Sequence, residues 1–285
     1  MESEHIDETR CREMHEQNRL SWNAVTPAHN SHKVDQAKFL RGGGSTLFAE
    51  EIGLLGDVSG KRVAHLQCNC GQDTLSVAQR GADVTGIDIA DEPIEFARKL
   101  SEETGIAARF HRSDLLDWFA TTEERFDIAF TSYGGISWIC DLDAWAAGVA
   151  RILAPSGRLV LLEFHPMVWS FGRDGRLTAP YFIAKPIEEA GGVNDYVGEA
   201  LAPSGFDAGM RDFGNPERAV CFQWTVAQIV QSVVDAGLRI ETLREYPFAN
   251  GCEVFDGMKP IAGNRYTMPE GLPAMPLMLG LTAEA

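Results

Sequence analysis

The chain has 285 residues, 45% of them apolar and 23% charged, and a formal net charge of −16. That length and composition describe one large globular domain, or a domain with a sizeable insertion, and exclude a low-complexity or disulfide-stapled chain. The acidic balance argues against a protein that neutralises nucleic-acid phosphates, because the largest basic cluster is Lys61-Arg62.

The opening residues, MESEHIDETRCREMHEQNRL, are polar and lack the apolar core of a signal peptide. No run is long enough to cross a bilayer. A cytoplasmic protein with no membrane partner is therefore expected, and its six cysteines are expected to stay unpaired.

Residues 20 to 45 read as mixed and polar. Ser45 then caps a helix through Leu47, Phe48, Ile52 and Leu55, stopped by Gly56. A regular alternation follows. KRVAHLQC is a short buried strand and DTLSVAQRG a helix closed by Gly81. VTGIDIA is a strand, and Asp91 caps a helix that ends at Gly105. ARFHRSD and RFDIAFTSY are the third and fourth strands. DLDAWAAGVARIL is a helix with Leu142, Trp145, Val149 and Ile152 at helical spacing, and the turn APSG leads into the strand RLVLLEF.

Residues 166–222 break this rhythm with many glycines and prolines and no clean period, which suggests a functional cap. Thr225 then caps a helix ended by Gly237, and LRIETLREY and PLMLGLTAE are the last strands. Short apolar strands alternating with helices predict an α/β fold with a sheet covered on both faces. The expected organisation is an N-terminal helical segment (1–56), a core (57–165), a cap insertion after strand 5 (166–222) and a return to the core sheet (223–285).

In such a sheet, ligands sit at the carboxyl ends of the strands, so the loop after the first strand matters most. It reads HLQCNCGQDT, residues 65 to 74. Two cysteines two apart after His65 invite a metal reading, but no second Cys or His pair answers them. His29 and His32 lack an acidic partner at helical spacing. No metal site is expected. The loop has only Gly71 where a dinucleotide turn needs several glycines. Asp88, at the end of VTGIDIA, is placed to accept from ribose hydroxyls, and no basic residue nearby suggests a 2′-phosphate.

The longer string HLQCNCGQDTLSVAQRGADVTGID resembles the class I S-adenosylmethionine-dependent methyltransferases, in a bacterial small-molecule branch with a variant cofactor loop. The resemblance runs from about Trp22 to the C-terminus. The family's loop carries an acid and three alternating glycines, and here those places hold His65, Gln67, Asn69 and Gly71. Only Gly71 matches, although Asn69 is of a type that tolerates left-handed backbone.

The resemblance implies a Rossmann-like seven-stranded sheet with an antiparallel last strand. It implies S-adenosyl-L-methionine as cofactor and S-adenosyl-L-homocysteine as product. Gln67, Cys68, Asn69, Gly71, Asp88 and Ile89 would hold the cofactor, with Asp114 and Leu115 at its adenine and Ser132 lining the transfer site. It also implies an N-terminal segment folded across the cofactor, with Phe39 and Arg41 reaching the methionine end.

A sulfonium methyl is already electrophilic, so alignment does most of the work and a base is needed only when the acceptor must lose a proton. His165, after the fifth strand, is the leading base, with loop pinning by hydrogen bonds as its ordinary alternative. Glu163 shares its strand face, and Tyr133 is a second candidate at the site. Trp169, Phe171, Tyr181, Phe182 and Trp224 are candidates for a substrate pocket and are equally at home in plain core.

The expected activity is methyl transfer to a small-molecule acceptor, with N-methylation ahead of O-methylation because an acidic protein suits amines. A role in natural-product biosynthesis fits the large cap. Two alternatives stay open: an RNA or protein methyltransferase, and a cofactor-binding module that serves as partner or sensor without catalysis. Nucleic acid is not an expected partner, and homo-oligomerisation is left open.

Overall fold

The computed structural model describes residues 6–33, 35–199 and 207–285. Three helices lead: α1 (Glu8–Ser31), α2 (Gln36–Arg41) and α3 (Ala49–Leu55). The core alternates β1 (Arg62–Leu66), α4 (Gln72–Ala78), β2 (Asp83–Asp88), α5 (Asp91–Thr104), β3 (Arg109–Arg112), α6 (Leu115–Thr121), β4 (Phe126–Ser132), α7 (Leu142–Ile152) and β5 (Leu153–Phe164). The stretch 166–222, expected to form a cap, holds β6 (Ile187–Glu189), α8 (Tyr196–Glu199) and β7 (Ala219–Cys221). It is followed by α9 (Val226–Asp235), β8 (Arg239–Tyr246), β9 (Phe248–Asn250), β10 (Lys259–Ile261), β11 (Arg265–Thr267) and β12 (Met278–Glu284).

Seven strands form one sheet in the order β3-β2-β1-β4-β5-β12-β8. β1 to β5 pair in parallel, and β12 runs antiparallel to both β5 and β8. Strand alternation assigns the faces. Ala64, Leu66, Leu159, Leu161, Leu279 and Leu281 pack with Trp118, Trp145, Val149 and Ile229 of α6, α7 and α9. Val63, Val84, Ile128, Phe130, Val160 and Leu162 pack on the other face with Leu54, Leu55 and Val77 of α3 and α4. No helix among the described residues is long and apolar enough to cross a membrane.

The sequence misplaces several boundaries. The polar start is mostly α1, capped by Asp7, which accepts from the Arg10 N–H at 2.9 Å. α3 is capped at Phe48 rather than Ser45, because Glu51 Oε2 reaches back to the Phe48 N–H at 2.7 Å. Ala90, not Asp91, precedes α5. Asp91 instead binds Arg19 and Asn23 of α1 and Arg112 of β3. The small sheet β10-β11-β9 was not foreseen, since strands of three residues carry too little pattern. Cys11 and Cys140, separated by 129 positions, are joined in a disulfide, against the expectation of unpaired cysteines.

Candidate active site

At the end of β1 the backbone turns through three left-handed residues: Gln67 (φ 54°), Asn69 (φ 47°) and Gly71 (φ 74°). Side chains other than glycine disfavour this region by about 1–2 kcal/mol each, so the loop is held by its surroundings. Gly71 has no substitute, since a Cβ there would lie 2.7 Å from the Ala97 Cβ and 2.8 Å from the Phe110 ring. Asn69 offsets part of its cost by accepting from the Cys70 N–H at 2.8 Å. Gln67 donates from Nε2 to the Gly135 carbonyl, while its Oε1 is buried without a partner. The loop therefore keeps left-handed backbone at Gln67 and Asn69, although neither is a glycine.

The residues around it are dry. His65 stacks on Phe130, and its Nδ1 lies 2.7 Å from Thr74 Oγ1. Burial pushes its pKa down to about 3, so it is a neutral strut from β1 to α4. The Cys68 thiol lies against Gly86, where an added Cβ would come within 2.8 Å of its sulfur. Cys70 accepts from Asn30 Nδ2 at 3.4 Å, and burial raises both thiol pKa values.

Asp88 closes the neighbouring strand end. Its Oδ2 accepts from the Asn69 N–H at 2.9 Å and its Oδ1 from the Ala90 N–H at 2.9 Å. Burial raises its pKa to about 6 against the opposing pull of those N–H groups, which leaves it largely ionised at neutral pH. Ile89 follows it, half-buried.

Asp114 ends the β3 segment and caps α6, accepting from Leu116 N–H at 2.8 Å and Asp117 N–H at 3.3 Å. Its other oxygen is 2.6 Å from Nδ1 of His15, on α1. Burial alone would raise this carboxyl's pKa, but the His15 hydrogen bond and the capping N–H groups bring it below the usual value. His15 Nε2 accepts from the Cys140 N–H at 3.2 Å, which fixes the ring as the Nδ1–H tautomer. Leu115 is buried in the core beside it.

At the end of β4, Ser132 is half-buried and Tyr133 adopts φ 32°. Asn250 Nδ2 donates to the Tyr133 hydroxyl at 2.7 Å and to Glu50 Oε2 at 3.0 Å. Glu50 in turn pairs with Arg265 at 2.7 Å. Burial, then the nearby Glu51, raise the Tyr133 pKa well above its ordinary value. Burial and Asp73 likewise hold Glu51 up, and Glu51 Oε1 is buried without a partner. The sequence pointed to Tyr133 but to none of Glu50, Glu51 or Asn250, whose only shared signal is position in the fold.

His165 does not stand free at the strand edge. Its Nδ1 accepts from the Met167 N–H at 3.2 Å, and its Nε2 lies 3.0 Å from Glu245 Oε1 on β8. Both ring nitrogens are engaged, one with the backbone and one with a carboxylate, and in this arrangement the ring pins the loop. Burial lowers its pKa against the pull of Glu245. Glu163, on the same face, holds the turn after β4 by accepting from the Gly134 and Ile136 N–H groups, and burial raises its pKa to about 7.

The five candidate pocket aromatics do not form one wall. Trp169 packs on Phe164 and Phe171 on Phe255, whereas Trp224 stacks on Phe222. Tyr181 accepts from the Val226 N–H, and Phe182 is exposed. Arg41 reaches the Glu103 carbonyl at the end of α5, away from the loop after β1. A different aromatic group gathers between α1, the turn after β4 and α8: Trp22 lies 5.5 Å from Trp138 and 6.3 Å from Tyr196. His29 lies 4.4 Å from Tyr196, and the Asp195 carboxylate is 2.7 Å from His32 Nε2.

Residues 63–157 match the family model described as a methyltransferase domain. Demethylmenaquinone methyltransferase of Thermus thermophilus is 33% identical over 108 residues, covering 37% of this chain and 48% of that protein. Ubiquinone biosynthesis O-methyltransferase of Aeromonas salmonicida is 28% identical over 106 residues, covering 37% and 44%. The chain thus spans about half the length of the curated relatives it matches. In fold, it resembles an S-adenosylmethionine-dependent methyltransferase from Mesorhizobium loti, with TM-score 0.52 at 19% identity over 82% of this chain and 95% of that one. A second, from Methanosarcina mazei, has TM-score 0.51 at 19% identity over 84% and 97%.

Proposed function

We propose that this chain, whose core is a class I S-adenosylmethionine-dependent methyltransferase domain, methylates a small-molecule amine. The observation that carries the cofactor assignment is the left-handed run of Gln67, Asn69 and Gly71 set against the Asp88 carboxylate. The buried Gln67 Oε1, which has no partner within the protein, is the feature a bound ligand would explain, whereas Gly71 is required by packing against Ala97 and Phe110.

When bound, S-adenosylmethionine supplies an electrophilic methyl group that needs alignment more than activation. The residues of this chain do the rest. Asp88 would accept from the ribose hydroxyls, Gln67, Cys68, Asn69, Gly71 and Ile89 would present backbone and walls, and Leu115 with Asp114 would border the adenine. Ser132 and Tyr133 line the transfer edge.

Amine acceptors are favoured by two features. His165, the expected base, is committed to Met167 and Glu245. An amine needs no protein base once it has lost its proton to solvent. The Trp22, Trp138 and Tyr196 rings form an aromatic wall suited to the positive charge that grows on nitrogen as the methyl transfers. O-methylation is the second reading, supported by the name of the Aeromonas relative, and would make Tyr133 and Glu51 the proton-handling pair. A panel of amines and phenols incubated with S-adenosylmethionine separates the two. Products methylated on nitrogen, at rates that follow each amine's own ionisation, support the first reading. Turnover of phenols alone refutes it.

A further inference from the structure

Cys11 and His15 of α1 stand one helical turn apart, on one face of the helix. With Cys140, in the turn before α7, each presents a ligand atom within 4.8 Å of the others, and all three residues are buried. Cys11 Sγ is 4.0 Å from His15 Nε2. The other ring nitrogen is held by Asp114 at 2.6 Å. Metal-ligating histidines take this arrangement, with one nitrogen on the ion and the other N–H on a carboxylate that fixes the ring and raises its basicity. Met14, Leu116, Phe222 and Trp224 surround the group and keep it dry.

In the structure the two sulfurs are bonded to one another. A dithiol reductant breaks that bond, leaving two cysteine thiols and becoming a cyclic disulfide itself, so electrons and protons balance. The donor set is then two sulfurs and one imidazole, all soft or borderline ligands. We propose that the reduced Cys11–His15–Cys140 cluster binds one zinc ion, with loss of both thiol protons.

Zinc–sulfur bonds of about 2.3 Å and zinc–nitrogen bonds of about 2.0 Å place tetrahedral ligand atoms roughly 3.6 Å apart. The Cys11 sulfur and His15 nitrogen, at 4.0 Å, need to close by roughly 0.4 Å, and the two sulfurs, released by reduction, need to part to the same spacing. The nitrogen lone pair that now accepts the Cys140 N–H would pass to the ion. Three protein ligands leave a fourth position for water. The ion would tie α1 to the turn before α7 and hold His15 in the tautomer that donates to Asp114. Nothing in this assignment depends on the methyl acceptor or on turnover.

The test uses the full chain, reduced without oxygen and freed of reductant, then titrated with cobalt(II) and zinc. The expected result is one equivalent of cobalt, a thiolate-to-cobalt charge-transfer band, and its displacement by zinc. Cys11→Ala and Cys140→Ala should abolish the band although Cys68, Cys70, Cys221 and Cys252 remain. His15→Asn should shift the band and weaken binding at least tenfold. Reduced, folded protein that binds neither ion overturns the proposal. So does binding unchanged in Cys140→Ala, or a disulfide that resists reduction until the protein unfolds.

Discussion

The Asn69 N–H donates to Asp88 Oδ2 at 2.9 Å, joining the loop after β1 to the end of β2. This bond sets a left-handed residue against a half-buried carboxylate, and it defines the floor of the proposed cofactor site. Asp88→Asn should keep the fold and weaken S-adenosylhomocysteine binding by about 1–3 kcal/mol, the scale of lost hydrogen bonds to a charged group. An affinity equal to wild type, measured by calorimetry on folded protein, would remove Asp88 from the site.

The strained loop makes a stability prediction. Asn69→Val places a β-branched residue at φ 47°, and should cost about 1–2 kcal/mol in urea unfolding. Gly71→Ala should cost more, since its Cβ meets both Ala97 and Phe110. Variants with unchanged unfolding midpoints would show that the loop is not held in this conformation.

Much of this was legible from residue pattern. The alternation of short strands and amphipathic helices placed β1 to β5, α9 and β12, and Thr225 caps α9 as its sequence context indicated. What was not legible depends on contacts between distant residues. The glycines missing at 67 and 69 concealed a backbone that keeps its left-handed turns. His15 meets Asp114 across 99 positions, and no local spacing announces it. The place of His165 after β5 was evident, but Glu245, 80 positions later, decides what its ring does.

His165 can be read as a loop pin or as a base, and the two readings separate by experiment. As a pin, His165→Asn should cost about 1–2 kcal/mol of stability and leave the pH dependence of turnover unchanged. Loss of a titration step from the rate profile, in a variant as stable as wild type, would restore it as a base.

Two buried histidines set an acid limit. Burial lowers the pKa of His65 to about 3 and that of His29 to about 4, from 6.5. Below pH 6.5 the unfolded chain therefore binds protons that the native chain refuses. Their contribution is complete above that pH and is lost as pH falls toward the native values, by up to about 1.4 kcal/mol per pH unit for each group. His65→Asn, which can retain the contact to Thr74, should lose stability less steeply between pH 6 and pH 4. Parallel urea curves for variant and wild type across that range would argue that His65 is not held neutral.

The most direct test is calorimetric titration of the wild-type chain with S-adenosylhomocysteine, with NAD as the control ligand. One-to-one binding of S-adenosylhomocysteine and none of NAD is the predicted result. A folded chain that ignores S-adenosylhomocysteine would contradict the cofactor site and the methyl-transfer reading built on it.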